Sequence, residues 1–296
     1  MAVALACATF PLLFIGGLVT SKGAGLAVPD WPTTFGYNMF LYPWSKMIGG
    51  IFYEHSHRLV ASFVGLLTIA LALTLWLREP RQWLRWLGFV ALVLVIVQGV
   101  LGGLRVVLLE HLLAIVHAAT AQIFFALTVC LAMFTSDEWR RVTERPLDDG
   151  GRLQRLCAVT TGLIYLQIVF GAVLRHTGER LDAHLGLAIL VAIHVMLVVM
   201  RVARLLPVSK LKLPALALLA LLVLQAILGG VSYIAKFTTL WRVPIDLVVL
   251  LTTTHLAVGA LMLAASVALL LRAHRLSTRS LDRRARKEAF AEQFSV

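Results

Sequence analysis

"VQGVLGGL" at residues 97–104 and "LQAILGGV" at 224–231 are near-copies set 127 residues apart. A second pair, "GGLVTSKG" at 16–23 and "GAVLRHTG" at 171–178, repeats at an offset of 155. Repetition of this kind decides a membrane architecture, because such folds are commonly built from duplicated units. His57 and His184 keep the 127 offset, so two consecutive helices share one register in both copies. The difference of 28 between the two offsets is extra length in the first outer loop of the first copy. His117 and His255 complete the correspondence at an offset of 138, the second copy having a longer loop before its last helix.

The surrounding chain has the composition of a membrane protein. Of 296 residues, 60% are hydrophobic and 14% charged, and the mean hydropathy is +0.88, which excludes an ordinary soluble domain. Apolar runs long enough for a helix to cross about 30 Å of hydrocarbon fall near 2–20, 57–77, 84–104, 112–134, 156–174, 183–200, 213–234 and 244–271. The first run has no basic residue before Lys22 and reads as a retained helix rather than a signal peptide. The expected fold is an all-α integral membrane protein whose eight transmembrane helices form two pseudo-symmetric four-helix bundles. Four helices return the chain to its starting side, so the two units run parallel.

This gives an N-terminal bundle over 1–135 with an outer lid loop at 21–56, a cytoplasmic linker over 136–155, a C-terminal bundle over 156–272 and a basic tail over 273–296. Of the 27 Lys and Arg residues, 19 lie in the loops 78–85, 136–155 and 201–212 and in the tail after 271. That bias places both termini in the cytoplasm, or on the matrix side in an organelle, and a cell (inner) membrane is the expected location. It also accounts for the net charge of +12 as topology and attraction to anionic lipid, without nucleic acid. Cys7, Cys130 and Cys157 all lie away from the outer loops, where a disulfide would be expected.

His57, His117, His184 and His255 are one histidine on the second and one on the fourth helix of each unit, all in the outer half of the membrane. Two facing imidazoles inside a four-helix bundle suit the axial positions of a haem iron. There is no HExxH, nor a cysteine or carboxylate cluster of metal-binding spacing, to suggest zinc. Four residues after each histidine stands a small residue, Ala61, Ala121, Ala188 or Gly259, on the same helix face, which leaves room for a flat ligand. A packing role remains the alternative for any intramembrane histidine.

The other histidines are expected to do less. His274 and His176 are expected to be solvated, and His194 to bond a neighbouring helix. His55 lies about 200° round the helix from His57, and His111 stands at the outer rim. Haem propionates need cations, and Arg58, Arg105, Arg175, Arg180 and Arg242 lie at outer helix ends or loops, where snorkelling to the interface is the competing reading.

The halves differ near His57. Glu54 precedes it by three residues on the same face, whereas the 127 offset puts Leu181 before His184 and replaces Arg58 with Leu185. A carboxylate there can accept a proton or support a developing positive charge; equally, it can serve as a helix-end carboxylate against the N-terminal dipole. The stretch "SKGAGLAVPDWPTTFGYNMFLYPWSK" at 21–46 is rich in Gly, Pro and aromatics, so it is expected to fold as a cap over the first bundle alone.

"GAGLAVPDWPTTFG", "YEHSHRLVAS" with its ExxHR pattern, "VQGVLGGLRV", "IVHAATAQ", "LQIVFGAVLRHTG", "LQAILGGV" and "TTTHLAVGA" together resemble the haem A synthase family, in order and across nearly all eight helices. The resemblance implies a membrane oxidoreductase that converts the C8 methyl of haem O to a formyl group by successive hydroxylations. It implies Glu54 as the catalytic residue, His57 and His117 flanking the substrate haem, and His184 and His255 as axial ligands of a haem b cofactor. Of the arginines at the outer helix ends, Arg58, Arg105 and Arg175 are the expected propionate partners. Haem O synthase and terminal oxidase assembly factors are the implied protein partners.

Two departures stand out. Many members of that family carry an outer-loop cysteine pair, where this chain has Val28, Thr33 and Thr34; the second half has "DAHLGL" in place of ExxHR. A di-haem b electron-transfer cytochrome is the alternative reading, and the one-sided Glu54 counts against it. A repeat-built transporter would place its polar site at the midplane instead.

Overall fold

In a computed structural model, which describes residues 1–141, 150–205, 209–240 and 243–293, the chain is all-α. The helices are α1 (Ala2–Ser21), α2 (Gly49–Arg78), α3 (Gln82–Leu108), α4 (His111–Thr135), the short α5 (Asp137–Arg140), α6 (Gly150–Thr177), α7 (Leu181–Arg204), α8 (Ser209–Phe237) and α9 (Ile245–Gln293). Eight of them, all but α5, are long and apolar enough to cross a membrane, so this is a multi-pass membrane protein. Arg242 and residues 142–149 of the linker lie outside the described residues. No side chain of the tail beyond Ser277 is described.

The apolar runs mark these helices but not their ends. α2 begins at Gly49 rather than 57, so Glu54 and His55 belong to a helix and not to the lid loop. A hydropathy reading misses these two turns because Glu54, His55, His57 and Arg58 interrupt the apolar run. The turns are stable as helix because the lid covers them, leaving Glu54 4% and His55 1% exposed. Gly49 has φ +54, a left-handed value that suits glycine, where the chain turns from the lid into α2. His176, expected in a loop, lies in the last turn of α6.

Neighbouring helices pack in order. α1 lies against α2 and α4, and α3 against α2 and α4; in the same way α6 lies against α7 and α9, and α8 against α7 and α9. Each set of four has its own apolar cluster. One contains Leu5, Val64, Leu71, Leu84 and Leu131, and the other Leu153, Val195, Leu211, Leu218 and Leu269. Both clusters fill the end of the helices remote from the lid, which leaves the lid end for polar side chains.

Outward residues such as Leu66, Leu73, Ile96, Ile189 and Ile227 are exposed, as a lipid-facing surface requires. Buried Thr9, Thr68, Thr128 and Ser266 donate to carbonyls three or four residues back on their own helices, so they bury no unpaired hydroxyl. His194 does the same through Leu190 O at 2.9 Å, and so corrects the expectation of a bond to a neighbouring helix. His274 meets Gln154 at 2.9 Å.

The two sets touch through α1, α4, α6 and α9. At the lid end Ser21 of α1 meets Thr252 and Thr253 of α9 at 3.3 and 3.0 Å, and Lys22 pairs with Asp246. Arg175 of α6 reaches between them, donating to Gly17 O at 2.6 Å, Ser21 Oγ at 2.5 Å and Thr252 O at 3.4 Å.

Candidate functional site

Each of the four repeat-related histidines lies against a glycine of the preceding long helix. A Cβ built on Gly16 would stand 3.0 Å from His57 Cε1, one on Gly102 3.2 Å from His117 Cε1, one on Gly171 3.1 Å from His184 Cε1, and one on Gly229 3.0 Å from His255 Cε1. The aligned repeats pair Gly16 with Gly171 and Gly102 with Gly229, so one packing device occurs four times. Glycine lets the backbone approach the edge of the ring, and any side chain there would turn the imidazole or push it away. Sequence reasoning placed these glycines in the repeat without giving them a role; their signal was recurrence one helix before each histidine.

The rings are buried with Nδ1 unpartnered in all four, although a buried polar atom ordinarily finds a hydrogen bond. His184 and His255 face each other with ring centroids 6.4 Å apart and planes at 74°. Two metal–nitrogen bonds of about 2 Å, plus an offset of about 1.1 Å from each nitrogen to its ring centre, separate two axial imidazoles by about 6 Å. The donor set, the glycine cradles and the 6.4 Å spacing of His184 and His255 therefore fit an iron held between two histidines. Among the described residues, no group of three or more His, Cys, Asp or Glu is placed to hold a bare metal ion.

Glutamines one turn before the glycines complete the second pair. Gln167 Nε2 lies 3.4 Å from His184 Nε2, and Gln225 Nε2 lies 3.4 Å from His255 Nε2. In the first half, Gln98 occupies the place corresponding to Gln225 and donates to Thr120, while Leu12 stands where the 155 offset would put Gln167.

Glu54 is fixed at the base of the lid. Its Oε2 accepts the Val28 N–H at 3.0 Å and its Oε1 accepts Arg58 at 2.8 Å, which fixes both oxygens in place. Arg58 also donates to Val28 O, Asp30 O and Thr33 O at 3.1, 2.7 and 3.0 Å. Four of the five guanidinium N–H groups are thereby engaged, so Arg58 ties the lid to Glu54 and keeps one N–H for another partner. His55 is a second anchor, with Nδ1 3.2 Å from Thr34 Oγ1 and its ring against Tyr42.

Inside the lid, Asp30 accepts N–H bonds from Phe35 and Gly36 at 2.7 and 2.9 Å and the Thr33 hydroxyl at 2.5 Å. Partial burial alone would raise its pKa, but the bonds from Gly36, Thr33 and Phe35 outweigh it and hold the carboxyl below its usual value. Trp31 packs on Gly103, next to the Gly102 cradle of His117.

The arginines separate by role. Arg105 extends beneath Gly25 of the lid and makes no hydrogen bond or salt bridge among the described residues. Arg175 meets only neutral acceptors and keeps a buried, unpartnered Nε. Arg180 stands at the N-cap of α7 with φ +66, and His111 opens α4. Cys7, Cys130 and Cys157 are all free thiols.

Fold and site together describe a multi-pass helical membrane protein with four glycine-backed imidazoles toward the lid ends of its helices, two of which, His184 and His255, meet. The profile of the COX15-CtaA family, described as a cytochrome oxidase assembly protein, matches residues 1–185, which include Glu54, His57, His117 and His184. The chain belongs to this family.

Among curated relatives it is similar to the Heme A synthase of Alkalihalophilus pseudofirmus, 32% identical over 175 residues, covering 57% of this chain and 57% of that protein. The Heme A synthases of Lysinibacillus sphaericus and Geobacillus kaustophilus are 28% and 26% identical over 184 and 180 residues, covering 61% and 58% of this chain and 58% and 55% of their own lengths. The chain thus spans little more than half the length of the curated relatives it matches. Family membership brings haem into the reading of the histidine pairs.

Proposed function

We propose that this protein is a haem A synthase, a membrane oxidoreductase that converts the C8 methyl of haem O to the formyl group of haem A for terminal oxidases. The observation that carries the reading is the one-sidedness of a repeated site. Both halves present two glycine-backed histidines, but among the described residues only the half with His57 and His117 adds a buried carboxylate and a lid tied to it. A pair of equivalent electron carriers has no use for that difference.

In this reading the two four-helix sets are separate compartments. His57 and His117 would hold the substrate haem O, and His184 and His255 would hold a resident haem b. That haem supplies one-electron redox chemistry when bound. Oxidising a methyl to a formyl group, written with water as the oxygen donor, takes up one water and releases four protons and four electrons, which leave to an acceptor outside the substrate site. Glu54, anchored by Arg58 and the Val28 N–H, is a fixed negative charge that accepts a proton or stabilises positive charge developing on the substrate. The lid covers this compartment, and Arg105 and Arg175 supply cations for propionates.

The lid end is the outer face of a cell (inner) membrane, with both termini cytoplasmic. A haem O synthase is the fitting source of substrate and terminal oxidase assembly factors the fitting recipients.

The test is pigment extraction and mass identification from cells expressing the chain with and without a haem O source. Haem A should appear only when both are present. Its absence in cells that make haem O and carry the membrane-inserted protein would overturn the assignment.

A further inference from the structure

We infer that Gln167 and Gln225 are caps on the second histidine pair, holding His184 and His255 ready for iron in the haem-free protein and releasing them when iron binds. The inference rests on the proposed haem site of the second half.

Each cap belongs to the helix that also supplies the glycine cradle. Gln167 is one turn from Gly171, Gln225 one turn from Gly229, and each amide nitrogen lies 3.4 Å from the Nε2 of the cradled ring. An amide N–H can donate to Nε2 only if the ring carries its proton on Nδ1, so the contact selects the tautomer with a free lone pair on Nε2. That lone pair is the one an iron takes, and it cannot serve both partners. Haem binding must therefore break both amide contacts.

The space around the second cap is specific. A Cβ at Gly259 would stand 3.3 Å from Gln225 Nε2, so the missing side chain makes room for the amide. The equivalent small residues Ala61, Ala121 and Ala188 carry that methyl group. The first half is not capped in this way, having Leu12 in one place and Gln98 turned to Thr120 in the other.

A contact present only in the haem-free state stabilises that state and weakens apparent haem affinity by the same factor. The caps thus trade affinity for a second half that stays folded before its cofactor arrives. Removing one should tighten haem binding roughly three- to tenfold and lower the thermal stability of the haem-free protein.

The experiment uses the purified full chain, stripped of haem and titrated with iron protoporphyrin IX, in parallel with thermal unfolding without haem. Gln167→Leu installs the residue the first half already has in that place. Gly259→Ala leaves every polar group intact, crowds the Gln225 amide and gives the position the methyl that Ala61, Ala121 and Ala188 already carry. Both should bind haem more tightly than the unmodified chain, and both should melt earlier without haem. Equal or weaker haem binding by both, or unchanged melting of the haem-free forms, would overturn the caps. An unmodified chain whose haem spectrum is absent, or survives replacement of both His184 and His255, would instead overturn the second-half haem site, and the melting comparison would still decide the caps.

Discussion

At the scale of single residues, the glycines are as demanding as the histidines they support. Adding a methyl at 3.0–3.2 Å from a ring requires shifts of a few tenths of an ångström, and a β-branched side chain requires more. Gly229→Val should abolish any haem signal that depends on His255 while leaving the helical circular dichroism and membrane insertion unchanged; a normal spectrum would show that the cradle does not set the ring. Glu54 permits a finer separation of roles, because glutamine can still accept the Val28 N–H but carries no charge. Glu54→Gln keeps one acceptor where the carboxylate has two, so it should stop haem A formation with haem b retained and leave the lid more open to protease than in the unmodified chain but less so than Arg58→Ala does. Continued haem A formation would remove the carboxylate from the chemistry and leave it only as a lid anchor.

At the scale of elements, the lid is a folded loop held by a few charged and polar side chains. Arg58 binds three of its carbonyls and Glu54 at once, so Arg58→Ala strands a buried carboxylate and should destabilise the lid by about 3 kcal/mol, seen as rapid cleavage between residues 26 and 46 under limited proteolysis. Asp30 gives the lid a pH limit. Its folded pKa lies below the ordinary value of 3.8, so its contribution is complete above that value and is lost as pH falls through the depressed one. Lid protection should therefore persist to below about pH 4 and fail on further acidification, while Asp30→Ala should show weakened protection already at neutral pH.

At the scale of the whole molecule, the two sets of helices meet at an arginine. Arg175 joins Gly17, beside the His57 cradle, to Thr252, one turn before His255, and itself lies one turn beyond the His184 cradle at Gly171. Arg175→Leu removes three donated bonds across the seam and should lower the melting temperature by a few degrees. If Arg175 also receives a propionate, the same change should weaken haem retention; melting and retention both unchanged would show that the seam does not depend on it.

The all-helical membrane class, the eight spans, the recurrence of the four histidines and the singularity of Glu54 could all be read from the sequence, because hydropathy, repeat offset and residue type are properties of the chain itself. Sequence alone did not show that α2 continues under the lid, that Arg58 serves the lid carbonyls, that His194 bonds its own helix, or that glycines and glutamines frame the histidines. Those depend on which helix faces which and on where each buried donor finds an acceptor. A sequence specifies the groups that must be satisfied in a low-dielectric interior; only the packed structure decides which group satisfies which.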